Sequence, residues 1–204
     1  MRCGVLALQG GFAAHGAVLT HLGAEVQWLR RPADLVGIDA LVLPGGESTT
    51  MLRLIDDDGL GDALRDRIAA GLPTLATCAG VILLAIDVTP PQHSFGLLDV
   101  DVARNAYGRQ VRSTVAQVHP CTDDLGDRSL DAVFIRAPRI VRVGRDVRVL
   151  ARRDGDPVLV EQGMILAATF HPELSRDDRI HRRLVRRAVA AACAEPVSLE
   201  AGRI

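Results

Sequence analysis

The chain contains no lysine, and all 24 of its basic residues are arginine. It therefore cannot form a lysine Schiff base or grip a phosphate with the lysine of a P-loop. Four cysteines are scattered without a Cys-x-x-Cys pair, which argues against a disulfide framework or a tetrahedral zinc site and fits a reducing compartment. His119-Pro120-Cys121 is the one close pairing of histidine and cysteine, and it reads as structural. No apolar run reaches the roughly 18 residues of a membrane span. The N-terminus enters a strand within a few residues, without a charged leader or a small-residue cleavage site. A net charge of −1 gives no general attraction to nucleic acid or to a membrane surface. These absences point to a cytoplasmic protein with no metal site and with neither nucleic acid nor membrane as partner.

What is present is a globular composition. The chain has 204 residues, 48% of them hydrophobic, with a mean hydropathy of +0.17, which suits one domain with a sizeable core. Val5 to Leu8, Glu25 to Leu29 and Ala40 to Leu43 read as short apolar strands. They alternate with helices over 13–23, from Ser48 to Ile55 and over 60–70. This alternation predicts an α/β fold with a mostly parallel sheet covered by helices on both faces. From Leu97 to about residue 161 the pattern changes to short strands: Val111 to Val118, Ala132 to Ile135, Val147 to Ala151 and Val158 to Glu161. This reads as an antiparallel or mixed extension, with Asp154-Gly155 as a tight turn. Residues 176–193 form the last helix, whose Arg176, Arg179, Arg182, Arg183, Arg186 and Arg187 read as a solvated exterior, with partner binding the alternative. Residues 195–204 read as a loose tail.

In a parallel sheet ligands collect at the carboxyl ends of strands, and three glycine-containing turns lie at such ends: Gln9-Gly10-Gly11, Gly45-Gly46-Glu47-Ser48 and Cys78-Ala79-Gly80. Cys78 sits where the apolar run Leu72 to Thr77 turns into the helix of Val81 to Ala85. A helix start offers unpaired N–H groups and a partial positive charge to a thiol, as in the nucleophile elbow of hydrolases. On local sequence alone Cys78 reads equally well as a core thiol, the reading given to Cys3, Cys121 and Cys193. Downstream, the buried strand Met164 to Phe170 runs directly into His171-Pro172-Glu173. Proline holds the preceding residue extended, so His171 and Glu173 can project to one side, and a carboxylate beside an imidazole fixes its tautomer. Cys78, His171 and Glu173 thus supply the types needed for nucleophile, base and orienter. The glycine pair before Glu47 lacks the length and the lysine of a phosphate loop. It can instead aim the Gly46 N–H at a carbonyl oxygen and, with the Ala79 N–H, form a two-donor oxyanion hole, while Ser48 caps the following helix.

Six segments in order carry a resemblance: Gly4 to Gly10, Leu43 to Thr50, Thr77 to Gly80 with Ile82 to Ala85, Arg104-Asn105-Ala106-Tyr107-Gly108-Arg109-Gln110, Val133 to Pro138, and Phe170 to Leu174. Together they resemble class I triad glutamine amidotransferases, and more narrowly the glutaminase subunits of pyridoxal 5′-phosphate synthase. The chain departs from that pattern at Ala14, before His15, and at Thr114-Val115. The resemblance implies a three-layer, flavodoxin-like sheet with a short antiparallel extension. It implies Cys78 as nucleophile, His171 as base and Glu173 as orienter. It further implies that Gly46, Glu47, Ser48, Arg104, Ile135 and Arg136 contact glutamine. Arg104 suits the α-carboxylate, because a guanidinium grips a carboxylate with two prongs. The implied activity is hydrolysis of L-glutamine to glutamate and ammonia through a cysteinyl thioester, with no cofactor. The ammonia would pass to a lysine-bearing synthase (lyase) subunit in a large hetero-oligomer, and the glycine pair could act as a switch under that partner's control. Competing readings are a glutaminase for histidine or purine biosynthesis, a stress or chaperone-like protein with a reactive elbow cysteine, and a catalytically dead binding module.

Overall fold

A computed structural model describes residues 1–56, 59–104 and 113–194. Residues 105–110 of the arginine-initiated motif and the expected tail at 195–204 lie outside the described residues. In chain order the first elements are β1 (Arg2–Leu6), α1 (Phe12–His21), β2 (Glu25–Leu29), β3 (Ala40–Leu43), α2 (Ser48–Asp56), α3 (Leu60–Ala69), β4 (Thr74–Thr77) and α4 (Ala79–Leu84). Then follow β5 (Ala85–Thr89), β6 (Leu98–Ala103), β7 (Thr114–Pro120), β8 (Leu130–Phe134), β9 (Arg139–Val143), β10 (Arg148–Arg153), β11 (Asp156–Gln162), β12 (Ile165–Ala168) and α5 (Arg179–Ala194).

The large sheet has nine strands in the order β2-β1-β3-β4-β12-β11-β10-β7-β8. The strands from β2 to β12 pair in parallel, and β11, β10, β7 and β8 extend them antiparallel. The parallel half has the strand order of flavodoxin-like proteins, with β12 as its fifth member. The inner strands β3, β4 and β12 are short and buried on both faces because helices cover both, whereas the edge strand β2 is partly exposed. In β3, Leu41 and Leu43 face one side with α2, α3 and α4, while Ala40 and Val42 face the other with α1 and α5. Each fully buried leucine of this kind contributes about 1.5–3 kcal/mol of transfer free energy.

Two features exceed the sequence reading. A second sheet of three strands, β5-β6-β9, packs into the same apolar cluster as α2 to α4. Its first strand, β5, begins at Ala85, where the sequence reading ends a helix, because Ile82-Leu83-Leu84 runs into β5 without a break in hydrophobicity. In addition, of the three cysteines read as core thiols, Cys121 and Cys193 are exposed and Cys3 is buried, its pKa pushed up to about 11 by burial. The expected turn is present: Asp154 (φ 50°) and Gly155 (φ 86°) join β10 to β11.

The α5 arginines are only partly a solvated face. Arg179 donates to the Leu125, Arg128 and Ser129 carbonyls and pairs with Asp177, while Arg183 pairs with Glu161 and Asp124. Arg187 also pairs with Glu161, whereas Arg176, Arg182 and Arg186 are exposed.

Helix α2 is capped differently from expectation. Glu47, not Ser48, satisfies the helix start: its carboxylate accepts from the Thr49 N–H (3.1 Å) and the Thr50 N–H (2.7 Å). The Ser48 hydroxyl donates instead to Gln92 Oε1 at 2.9 Å. Bonds from the Thr50 hydroxyl and from both backbone N–H groups hold the Glu47 pKa at about 2, against 4.5 normally. The stabilisation is therefore present above pH 4.5 and lost as pH falls toward about 2. Urea midpoints should show wild type ahead of Glu47→Gln above pH 4.5, with the gap closing across that acid window. A second expectation concerns Gly80, where α4 crosses β3 so closely that a Cβ would run into the Leu43 carbonyl oxygen. Gly80→Ala should cost about 1–3 kcal/mol, read as a fall in thermal midpoint of about 2–4 °C per kcal/mol.

Candidate active site

The carboxyl ends of β1, β3, β4 and β12 converge on a cleft of about 450 Å³. All the residues singled out from the sequence line it: Gly46, Glu47, Ser48, Cys78, Ala79, Arg104, Ile135, Arg136, His171 and Glu173. They come from segments far apart in the chain, and the order β1-β3-β4-β12 is what gathers them.

Cys78 follows β4 and precedes α4 with φ 47° and ψ −104°, a conformation that costs a non-glycine residue about 1–3 kcal/mol. The turn is held from outside itself. The Cys78 N–H donates to the Ala168 carbonyl at 2.8 Å, extending the β4–β12 ladder by one bond, and β12 is the strand that leads to His171. His171 is fixed in turn by its own N–H, which donates to Val133 O at 2.8 Å. Gly45 lies against both side chains, since a Cβ there would strike the His171 ring and come within 3.1 Å of Cys78 Cβ.

His171 Nδ1 meets Glu173 Oε1 at 2.7 Å, and both side chains are buried. The local geometry differs from the extended pairing read from the sequence. His171 (φ −107°, ψ 85°) stays out of the helical region, as the following proline favours, but Pro172–Leu174 is a 3-10 turn that swings Glu173 back beneath the ring. Gly11 leaves the space that this carboxylate occupies, for a Cβ there would lie 2.8 Å from Oε1. Burial opposes a charged His171, yet hydrogen bonds to Cys78 and Glu173 outweigh it and raise the pKa from 6.5 to about 10. The imidazole is thus poised to hold a proton beside the Cys78 sulfur, the state in which a thiol acts as a nucleophile. The Cys78 sulfur also lies 3.9 Å from the Ile135 carbonyl.

On the opposite wall Arg104 is engaged with Thr49 Oγ1 (3.2 Å) and Glu47 Oε1 (3.8 Å). Its guanidinium faces the cleft where a carboxylate could displace those partners. Arg136 is exposed with φ 47°, so the Ile135-Arg136 wall is also shaped by unusual backbone. Among the described residues no group of three or more His, Cys, Asp or Glu is placed to hold a metal ion.

Some residues of the site were not singled out from the sequence. Gln9 Oε1 accepts the Glu47 N–H at 2.7 Å, and Gly45 O accepts the Gly11 N–H at 3.0 Å, so the turn after β1 supports the glycine pair. Gln9 sat in a turn already placed at a strand end, and that position was the available signal. Leu174 forms a half-exposed apolar rim, and His15 lies behind Glu173. His15 entered the sequence reading only as the histidine after the departure at Ala14, and nothing there assigned it to the site.

The comparisons with known proteins agree with this architecture. The chain is 53% identical over 184 residues to the pyridoxal 5′-phosphate synthase subunit PdxT of Solibacter usitatus, covering 88% of this chain and 95% of that protein. It is 51% identical over 189 residues to the protein of the same name from Deinococcus radiodurans, covering 89% and 94%. A crystal structure of a glutamine amidotransferase superposes with a TM-score of 0.85 at 45% identity, over 92% of this chain and 98% of that one. The structure of PurLQS from Thermotoga maritima shares the fold at 16% identity, with a TM-score of 0.68 over 94% and 98%. Residues 5–190 match the SNO glutamine amidotransferase family, and the chain belongs to that family.

Proposed function

We propose that this chain is the glutaminase subunit of a pyridoxal 5′-phosphate synthase, acting as a single glutamine amidotransferase domain in the cytoplasm. The observation that carries the reading is Cys78, His171 and Glu173 brought together in one cleft, in a chain about half identical to proteins named as PdxT subunits. The histidine and purine alternatives have no comparable support, since the likeness to PurLQS extends to the fold alone.

The chemistry follows from the residues in place. With its proton on His171, the Cys78 sulfur attacks the side-chain amide carbon of L-glutamine, and the carbonyl oxygen takes up the negative charge. The Ala79 and Gly46 N–H groups are the donors for that oxyanion, and loss of one such donor costs about 2.7–4 kcal/mol of transition-state stabilisation. His171 gives its proton to the departing nitrogen, which leaves as ammonia and produces a γ-glutamyl thioester. Neutral His171 then removes a proton from water, the resulting hydroxide attacks the thioester, and the C–S bond breaks to release glutamate and restore the thiolate–imidazolium pair. Glu173 keeps the imidazole ring oriented through both steps. Arg104 receives the substrate α-carboxylate, and Glu47, Ser48, Ile135 and Arg136 complete the pocket.

The partner is a synthase (lyase) subunit that consumes the ammonia in a hetero-oligomer. Imine chemistry falls to the partner, because this chain has no lysine. Control by that partner acts at the glycine pair, where Gly45 O accepts the Gly11 N–H.

Glutamate release from L-glutamine, assayed with and without the cognate synthase subunit, tests this reading. Stimulation by the synthase is expected, and Cys78→Ala should fall to background; activity surviving in that variant would remove Cys78 from its role. Turnover should decline as pH rises through about 10, where the His171 imidazolium loses its proton. In Cys78→Ala the hydrogen bond that raises this pKa is gone, so NMR titration of His171 should give a lower midpoint than in wild type.

A further inference from the structure

Behind the cleft a chain of buried side chains continues inward from the catalytic carboxylate. His15 on α1 and His181 on α5 are both fully buried, with His15 Nδ1 2.9 Å from His181 Nε2. His15 Nε2 lies 3.1 Å from Thr77 Oγ1 and 3.2 Å from Glu173 Oε2. Thr77 immediately precedes Cys78, so this one ring lies against one triad member and the neighbour of another. Glu173 uses Oε1 on His171; its Oε2 is buried and, with His15 Nε2 close by but poorly aligned, has no hydrogen-bond partner.

We propose that His15 and His181 are positioning residues of the Cys78–His171–Glu173 site: the His181 Nε2–H donates to His15 Nδ1 and thereby holds the His15 Nε2–H against Thr77 and the Glu173 carboxylate. The assignment follows from what each atom can do. A carboxylate oxygen only accepts, so a bare His15 Nε2 at 3.2 Å would set one lone pair against another in a buried site. With the proton on Nε2, His15 Nδ1 must accept, and the facing His181 Nε2 must donate. This leaves the proton-free atom at His181 Nδ1, which is buried without a partner. The opposite arrangement would orphan an N–H there and also present the bare nitrogen to Glu173.

Both rings are held neutral. His15 is driven well below its usual pKa by burial and by the nearby His181 and His171, and His181 is lowered to about 4 by burial. The other titratable groups facing the pair are Glu173, from the turn after β12, and Asp178, just ahead of α5. Neutral donors support an ionised Glu173 without competing with His171 for its charge. The effect of His181 therefore reaches the thiol through His15, Glu173 and His171, and its register is fixed by the apolar stripe of Ile180, Leu184 and Ala188 on the same helix.

The proposal concerns the geometry of the triad and rests on the glutaminase reading only for its kinetic consequence. In the full chain, nitrogen NMR should find both histidines protonated at Nε2 and bare at Nδ1. A His15 proton on Nδ1 overturns the proposal whatever the activity. In glutamate release with the cognate synthase, His15→Leu and His181→Leu should lower kcat about tenfold or more with KM changed less than about twofold. Alkylation of Cys78 by iodoacetamide should slow in parallel. His181→Gln, which keeps an amide donor near the same place, should recover most of the rate. Equal losses in His181→Gln and His181→Leu, or a lowered thermal midpoint with kcat intact, would reduce the pair to core packing. If the leucine variants do not fold, the wild-type tautomers and His181→Gln decide. A wild type that releases no glutamate would sink the glutaminase reading while the NMR result still judged the pair.

Discussion

The parallel pairing of β4 with β12 is the constraint on which the site depends. Thr77 stands opposite Ala168, and the next backbone bond, Cys78 N–H to Ala168 O, belongs to the residue that carries the thiol. That bond holds Cys78 in its positive-φ conformation and lets His171, three residues beyond Ala168, approach the same turn. Between the two strands the chain makes its whole second sheet and the antiparallel extension. The pairing is therefore long-range, and its closure must be offset by burial on both faces of the sheet. The leucines, alanines and valines of β3, β4 and β12, apolar on both sides, supply that burial.

The parts of the fold legible from the sequence were those where a local pattern and a global requirement coincide. Ala40–Leu43 is a short apolar run and Glu25–Leu29 a short mixed one, each bounded by polar or glycine-containing turns, and they are strands with those limits. The second sheet was obscured because β5 follows α4 with no break in hydrophobicity, and a short apolar run does not reveal its period. The residues that line the cleft were legible for a related reason. Each sits at the carboxyl end of a buried strand, where an apolar run stops at glycine, cysteine or histidine. His15 and His181 meet partners distant in sequence, and Gln9 was marked only by its place in a strand-end turn. The capping of α2 by Glu47 rather than Ser48 is an intermediate case: both residues were in view, but only the fold sends the serine toward Gln92.

The absence of lysine has a structural side as well. Arg179 serves three backbone carbonyls and Asp177 with one guanidinium, and Arg142 bridges Asp99 and Asp101. An ammonium, with donors on a single atom, could not span such partners. Arginine thus fastens α5 to the loop around residues 125–129 and ties β9 to β6. The same helix carries His181 inward on its buried face, so exterior ion pairs and interior imidazoles share one scaffold.

The order of the elements along the chain also bears on how the thiol is born. Synthesis runs from the N-terminus, so Cys78 leaves the ribosome long before β12, His171, Glu173 and α5 exist. Until those arrive there is no Ala168 carbonyl to lock the elbow and no imidazole to take the proton. The elbow and the cleft around Cys78 are therefore completed only after the last strand of the sheet and the turn beyond it have been made.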